Sequence, residues 1–150
     1  VFNCGGSAFS GEISEFFFRC GVLLLQGYGM TECFVISVAN PTHNKFGTCG
    51  PVVPLMKVRI SPEGEIRATS PSQTQGYWNK PELTRDLFTE DGWVKTGDVG
   101  MIDDEGYIIK QTGSRISSRP LEASMLPRSR SRLCLKRIFS LSRLPRLVME

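Results

Sequence analysis

The first forty residues alternate short apolar segments with one amphipathic stretch. The apolar residues 1–4 run into Gly5-Gly6-Ser7, a pattern typical of a strand that enters a tight loop. Ser10 follows as a candidate helix cap, and the apolar residues after it have helical spacing. These residues are Ile13, Phe16, Phe17 and Cys20. Residues 22–25 are continuously apolar, as in a strand covered on both faces. The pattern predicts a β-α-β unit with parallel strands.

Two glycine-bearing segments fall at the ends of the predicted parallel strands. They are Gly5-Gly6-Ser7 and Gly27-Tyr28-Gly29, and both are predicted to be loops. Parallel sheets bind ligands in the crevice beyond the carboxyl ends of their strands. We therefore expect a ligand site where the two segments meet.

After Asn40-Pro41 the pattern changes to short strands separated by turns. The predicted strands are residues 57–60, 65–68, 99–102 and 107–110. The turns at 61–64 and 103–106 each end in a glycine that can adopt a positive φ. Pro81 opens a predicted short helix that runs to Phe88. This part of the chain is predicted to form a small, mostly antiparallel sheet or partial barrel, which makes the fold class α/β.

Composition narrows the class of protein. The 150 residues are 40% hydrophobic, which excludes intrinsic disorder for most of the chain, and no apolar run approaches the ~20 residues that span a bilayer. Residue 1 is Val, without the basic segment of a signal peptide, and we expect the true start to lie upstream. The five cysteines are odd in number and widely spaced, which favours reduced thiols and a cytoplasmic location.

Charge divides the chain unevenly. Residues 1–110 carry nine Lys/Arg and thirteen Asp/Glu, whereas residues 111–150 carry nine Lys/Arg and two Asp/Glu. The second part is rich in Ser, Arg and Leu without turn signals, as expected of a solvated disordered tail, a shifted reading frame or a truncated gene. The predicted organisation is an α/β subdomain over 1–40, an antiparallel subdomain over 41–113 and a basic tail over 114–150.

Candidate chemistry is concentrated in the segment from Gly27 to Glu32. The glycines allow a ligand to approach the backbone, and Tyr28 offers a ring that can stack on a base. Thr31 offers a hydroxyl to a phosphate oxygen, and Glu32 offers a hard oxygen ligand to Mg²⁺. The segment fits a nucleotide phosphate. The alternative is a glycine-rich turn with a surface Tyr and Glu.

A second candidate is Asp98, which ends the sequence Thr96-Gly97-Asp98. At the end of a predicted turn its carboxylate is suited to accept both hydroxyl groups of a ribose. The alternative is a turn aspartate that accepts hydrogen bonds from nearby backbone amides.

Taken in order, these motifs resemble the adenylate-forming (AMP-forming) acyl-CoA synthetase family, and most of all its long-chain-fatty-acid–CoA ligases. The resemblance covers residues 1–113. It rests on Gly5-Gly6-Ser7, on 27–32, on 47–51, on 64–66, on 76–84, on 91–93 and on 96–98. It implies part of the N-terminal domain of such an enzyme. The implied reaction joins a carboxylate, a fatty acid first of all, to AMP from ATP and then to coenzyme A.

The resemblance also implies roles for single residues. Gly5, Gly6 and Ser7 would line the adenine pocket, and Tyr28 would stack on the base. Thr31 would contact the α-phosphate, Glu32 would bind Mg²⁺, and Asp98 would hold the ribose. Thr31 and Glu32 are the expected catalytic residues. The other residues assigned to nucleotide binding are Gly27, Gly29 and Met30.

Some parts of the family pattern are not found. The family's phosphate-binding loop is expected upstream of Val1, and its catalytic lysine in a C-terminal domain. Without these groups, this chain is expected to be an incomplete ligase that is inactive on its own. The resemblance leaves the counterpart of the family's ribose-contacting arginine open: Arg115 is a candidate, but one extra residue precedes it and the family's following loop is absent. Two other functions therefore stay open: a non-catalytic remnant that binds an adenine nucleotide, and a nucleic-acid binder that uses the basic tail. Peripheral attachment to membranes also stays open, and the sequence does not indicate an oligomeric state.

Overall fold

The computed structural model describes residues 1–7 and 9–115, with the backbone alone for 112–115. This part of the chain forms two sheets and two helices. The first sheet has the order β1-β2-β3, with the strands Phe2–Cys4 (β1), Leu24–Met30 (β2) and Phe34–Val38 (β3). The second has the order β4-β5-β6-β7, with the strands Lys57–Ile60 (β4), Glu65–Thr69 (β5), Val94–Ile102 (β6) and Ile108–Arg115 (β7). The helices are Gly11–Arg19 (α1) and Pro81–Leu87 (α2).

The predicted β-α-β unit is confirmed. Strand β1 pairs in parallel with β2, and α1 connects them. The Ser10 hydroxyl caps α1 by accepting a hydrogen bond from the backbone N–H of Ile13 at 3.4 Å. Gly21 follows the helix with φ 78°, a conformation that glycine adopts without steric cost.

Strand β2 differs from its prediction in both bounds. It begins at Leu24 rather than at residue 22, and it continues through Gly27-Tyr28-Gly29, which the sequence predicted to be a loop. The reason is β3, which the sequence did not predict and which pairs with this segment in antiparallel fashion. At Gly29 a Cβ atom would collide with the backbone of Phe34, so glycine is needed for the close pairing. The segment lies just beyond the parallel β1–β2 ladder, which ends at Gln26.

The apolar stripe of α1 does not form a core. Ile13, Phe16 and Phe17 are 48%, 63% and 39% exposed, whereas Ser14 is buried. The helix rests on its small-residue side, where Gly11 lies against the backbone of Gly47. Helical spacing therefore predicted the element correctly but not the face that it buries.

The second sheet is antiparallel throughout, and its predicted turns are confirmed. The N–H of Gly64 donates to the carbonyl of Ser61, and that of Gly106 to the carbonyl of Asp103, each at 2.9 Å. Strand β6 begins at Val94, earlier than predicted, because β5 pairs with its first half. Asp98 therefore lies inside a strand, and its prediction at the end of a turn was wrong. The predicted α/β fold class, with a parallel unit followed by an antiparallel sheet, is confirmed.

Residues 49–53 connect the two sheets. The N–H of Cys49 donates to the carbonyl of Ile108 at 2.7 Å, and the N–H of Ile108 donates to the carbonyl of Gly50 at 3.1 Å. On the other side, Val38 donates to the carbonyl of Pro51 at 3.2 Å. The segment thus bonds to β7 and to β3 at once. It fixes the first sheet against the second.

The structure does not test the predicted subdomains or the predicted basic tail. The division at residue 41 separates the strands of the two sheets, but the assignment of 1–40 and 41–113 to distinct subdomains stays a prediction. The predicted basic tail falls almost wholly on residues 116–150, which lie outside the described residues.

Over the described range, no helix is long and apolar enough to cross a membrane. Four cysteines in that range are free thiols: Cys4, Cys20, Cys33 and Cys49.

Gly50 offers a test of the connection between the sheets. Its φ is +84°, and a Cβ atom there would collide with the backbone of Ala39. We expect Gly50→Ala to lower the free energy of unfolding by about 3 kcal/mol or more, because left-handed strain and a backbone clash add together. Urea unfolding followed by circular dichroism measures the change.

Gly92→Ala is the matched control. Gly92 has nearly the same φ, +81°, but nothing lies within 4 Å of the position that a Cβ atom would take there. We expect it to cost only about 1 kcal/mol, the strain alone. Equal losses for the two variants would show that the approach of Gly50 to Ala39 does not limit stability.

Candidate functional site

An open cleft lies where the parallel ladder between β1 and β2 ends. It has a volume of about 260 Å³, including its open mouth, and is lined by Gly6, Ser7, Gln26, Gly27, Tyr28, Gly29, Cys49 and Lys110. The loop after β1 reaches it because Cys4 and Gln26 are parallel partners, so this loop begins beside the Gly27-Tyr28-Gly29 segment of β2. The structure therefore brings together the two glycine-bearing segments that the sequence singled out.

Tyr28 and Asp98 meet behind this cleft, although 70 residues separate them. The phenol hydroxyl of Tyr28 donates to Oδ2 of Asp98 at 3.0 Å. The two residues are 6% and 7% exposed. Burial, and after it the negative charge of Asp98, raises the pKa of Tyr28 far above its ordinary value. The phenol therefore stays a hydrogen-bond donor over the whole physiological pH range.

Lys110 completes the arrangement. Its Nζ lies 3.0 Å from the same Oδ2 of Asp98 and 5.1 Å from the centroid of the Tyr28 ring. Gly100 is the register partner of Lys110, and Asp98 precedes Gly100 by two positions along β6. A diagonal pair of this kind lies within reach of a long side chain. A buried carboxylate is thus held by a phenol from one sheet and an ammonium from the other.

Three residues of the cleft were not among the predicted site residues: Gln26, Cys49 and Lys110. Lys110 follows the buried Ile108 by two positions, so both side chains belong to the same face of β7. A lysine at an inward position of a strand was the signal that could have revealed it. Cys49 lies in the segment 47–51 that carries the family resemblance, but no role was assigned to its side chain. Burial raises the pKa of its thiol, which keeps it in the protonated form.

Several predicted residues lie outside the lining of the cleft. Thr31 and Glu32 occupy the turn after β2, where Thr31 is exposed and Glu32 half-buried. The hydroxyl of Tyr77 donates to Oε1 of Glu32, and the N–H of Thr74 donates to the Glu32 carbonyl at 2.7 Å. Met30 packs against the core. The Glu32 carboxylate is thus held by a side chain more than forty residues further along.

The fit of a magnesium ion can be judged from the carboxylates. Within residues 1–7 and 9–115 no three His, Cys, Asp or Glu side chains are grouped so that they could hold a metal. Mg²⁺ commonly binds through one or two carboxylates and takes its other ligands from water and substrate phosphates. Glu32 fits that mode of binding. The described residues do not provide a magnesium site made of protein ligands alone.

The backbone of Arg115 pairs with Asp98 across β6 and β7. This register places the residue beside the aspartate along the ladder. The irregularity of the ladder between Asp98 and Gly100 accommodates additional residues on β7.

Comparison with known proteins identifies the family. The profile of the AMP-binding enzymes, described as "AMP-binding enzyme", matches residues 1–78. The chain belongs to the AMP-binding enzyme family. The match includes the loop after β1, strand β2 and Cys49, but not Lys110, the remaining residue of the cleft lining.

Relatives within the AMP-binding family include CoA ligases for different acids. A malonate–CoA ligase of Arabidopsis thaliana is 38% identical over 125 residues, with 71% of this chain and 20% of the relative covered. A long-chain-fatty-acid–CoA ligase of Thermus thermophilus is 31% identical over 155 residues, with 81% of this chain and 29% of the relative covered. The chain thus spans less than a third of the length of these relatives.

Solved structures show the same similarity. The ATP-bound MatB of Rhodopseudomonas palustris matches with a TM-score of 0.67 at 31% identity, over 75% of this chain and 25% of that one. The O-succinylbenzoate coenzyme A synthetase of Bacillus subtilis, in complex with ATP and magnesium ion, matches with a TM-score of 0.62 at 28% identity, over 72% and 25%. The fold is that of adenylate-forming enzymes of the AMP-binding family.

Tyr28→Phe tests the buried hydrogen bond. Removing the hydroxyl takes a donor from a buried carboxylate, and we expect the free energy of unfolding at pH 7 to fall by about 1–3 kcal/mol. Unfolded tyrosine ionises near its ordinary pKa of 10.0, whereas folded Tyr28 stays protonated. The wild-type chain therefore loses stability as the pH rises above 10, and the variant loses less. Urea unfolding between pH 7 and 11 measures both effects.

Tyr107→Phe is the control for this experiment. Among the described residues, the hydroxyl of half-buried Tyr107 has no side-chain hydrogen bond. A phenylalanine at this position keeps the aromatic ring that contacts Lys45. We expect a change of less than about 0.5 kcal/mol at pH 7. If Tyr28→Phe is equally mild, the bond to Asp98 does not stabilise the fold.

Proposed function

We propose that this chain forms the adenosine-binding part of an AMP-forming acyl-CoA ligase. The contact between Tyr28 and Asp98 beside the glycine loop after β1 is the observation that carries the proposal. A flat ring, a carboxylate and an accessible backbone at one cleft are the groups that an adenosine unit requires. They come from three distant parts of the chain.

Each part of the nucleotide has a suitable partner. The base stacks on the Tyr28 ring, with Gly6 and Ser7 along its edge. The position of a Cβ on Gly6 is open and its φ is +84°, so the loop leaves room for a ligand. The ribose hydroxyls donate to Asp98, a carboxylate that Tyr28 and Lys110 already hold in place.

The residues that we assign to the acyl-transfer chemistry lie in the turn after β2. A substrate carboxylate attacks the α-phosphorus of ATP and releases pyrophosphate, and the thiol of coenzyme A then displaces AMP. Thr31 donates its hydroxyl to an α-phosphate oxygen. Glu32, oriented by the Tyr77 hydroxyl, would hold Mg²⁺, which when bound supplies positive charge near the phosphates.

The acid is proposed to be a fatty acid. The chain is similar to a long-chain-fatty-acid–CoA ligase and to a malonate–CoA ligase. A long apolar acid and a small dianion need different pockets. A comparison of palmitate with malonate in the assay below therefore decides between these substrate classes.

The competing function is a non-catalytic adenine-nucleotide binder. ATP–pyrophosphate exchange separates the two, because exchange requires formation of the acyl adenylate. Exchange that depends on palmitate and Mg²⁺ supports the ligase and contradicts the non-catalytic binder. Binding of RNA that weakens steeply with salt and is lost on deletion of 114–150 would instead favour a nucleic-acid binder.

Asp98→Asn tests the ribose contact. AMP and 2′,3′-dideoxy-AMP carry the same charge, so the ratio of their affinities isolates the ribose hydroxyls. If Asp98 accepts these hydroxyls, the ratio of AMP to dideoxy-AMP affinity falls about tenfold in the variant. Isothermal titration calorimetry of the full chain gives both affinities. An equal change for the two nucleotides would contradict the role of Asp98.

Asp91→Asn is the matched control for charge. The hydrogen bond from the Arg59 guanidinium lowers the pKa of exposed Asp91 to about 2, so this carboxylate is ionised at neutral pH. The substitution removes the same charge from the chain away from the cleft. We expect the affinities for both nucleotides to stay within twofold of the wild-type values.

A further inference from the structure

Lys110 is the charged side chain among the described residues that line the cleft. The residues that share this lining with it are neutral: glycines, Ser7, Gln26, Tyr28 and Cys49. The carboxylate of Asp98 is not part of this lining, but it contacts the hydroxyl of Tyr28 and the ammonium of Lys110, each at 3.0 Å. Lys110 therefore brings a positive charge to the cleft, next to a buried carboxylate.

The position of Lys110 is fixed by three features of the structure. Its side chain is 17% exposed, so most of the stem is packed. Its Nζ contacts Oδ2 of Asp98 and lies over the Tyr28 ring, whose negative face attracts a cation. Its backbone belongs to β7, opposite Gly100. The ammonium thus stays at the cleft and does not extend freely into solvent.

Loss of Lys110 would remove one positive charge from the lining of the cleft, next to the Asp98 carboxylate. A nucleotide carries a phosphate that bears one to two negative charges at neutral pH, and Asp98 would repel it. A nucleoside carries no such charge. The lysine cancels the repulsion, while the carboxylate still has lone pairs for a ribose, since a carboxylate offers about four acceptor positions.

We propose that Lys110 makes this cleft selective for phosphorylated adenosine compounds over the neutral nucleoside. The proposal rests on the proposed adenosine site and assigns its charge selectivity to one residue. It predicts that loss of the ammonium weakens the binding of AMP more than the binding of adenosine. A residue that only supported the fold would weaken both ligands equally.

The experiment compares AMP with adenosine by calorimetry on the full chain, in EDTA at low salt so that no metal contributes. We expect the wild-type chain to bind AMP more tightly than adenosine. In Lys110→Gln the ratio of the two affinities falls about tenfold, which is the size expected for one charge pair inside a partly buried site. Lys110→Arg keeps the charge and restores the ratio to within threefold of the wild-type value.

Lys57→Gln is the matched control. Lys57 is exposed on β4, at the opposite edge of the same sheet from β7, and its loss changes the net charge by the same amount. We expect the ratio of AMP affinity to adenosine affinity in Lys57→Gln to equal that of the wild-type chain. A similar fall in Lys57→Gln would show that net charge acts over long range, which would overturn the assignment to Lys110.

The other outcomes are also decisive. If Lys110→Gln binds both ligands less well by the same factor, the lysine is structural and the inference is wrong. If Lys110→Gln does not fold, the wild-type measurement decides: equal affinity for AMP and adenosine overturns the inference without any variant. If the wild-type chain binds neither ligand, the proposed adenosine site itself fails, and this result is distinguishable from the two before it.

Discussion

A buried carboxylate constrains the whole arrangement. Asp98 is 7% exposed in the middle of β6, and an ionised group in such a place needs compensation by hydrogen bonds and opposite charge. The compensation comes from the Tyr28 hydroxyl on the first sheet and the Lys110 ammonium on the second. The two sheets must therefore meet at this point. Residues 49–53 hold them there through backbone hydrogen bonds to both.

Local signals explain what the sequence could predict of the fold. Ser10 marked the start of α1, and Gly64 and Gly106 marked two turns, because caps and positive-φ turns depend on a few neighbouring residues. Strand β3 and the continuation of β2 through Tyr28 were missed, since they depend on pairing with each other. The buried face of α1 was missed for the same reason: helical spacing does not tell which neighbour covers it.

In the candidate site, too, the sequence predicted some features and missed others. The approach of Tyr28 to Asp98 was expected only from resemblance to a family. The two residues are 70 positions apart, and neither composition nor sequence spacing predicts a contact over that separation. Lys110 has no place in the motifs that carry the resemblance, and only its inward register on β7 could have indicated it. Thr31 and Glu32 were found by their chemistry, but the turn places them outside the lining of the cleft.

Strand β2 belongs to two ladders at once, parallel with β1 through Gln26 and antiparallel with β3 from Gly27 onward. The same strand carries the ring that faces Asp98. Fraying of its second half would therefore open the core around Ile36 and dismantle the cleft in one event. A ligand held between β2 and β6 would oppose that event and slow amide hydrogen exchange in both sheets together. Occupancy of the cleft and stability of both sheets would thus be thermodynamically linked.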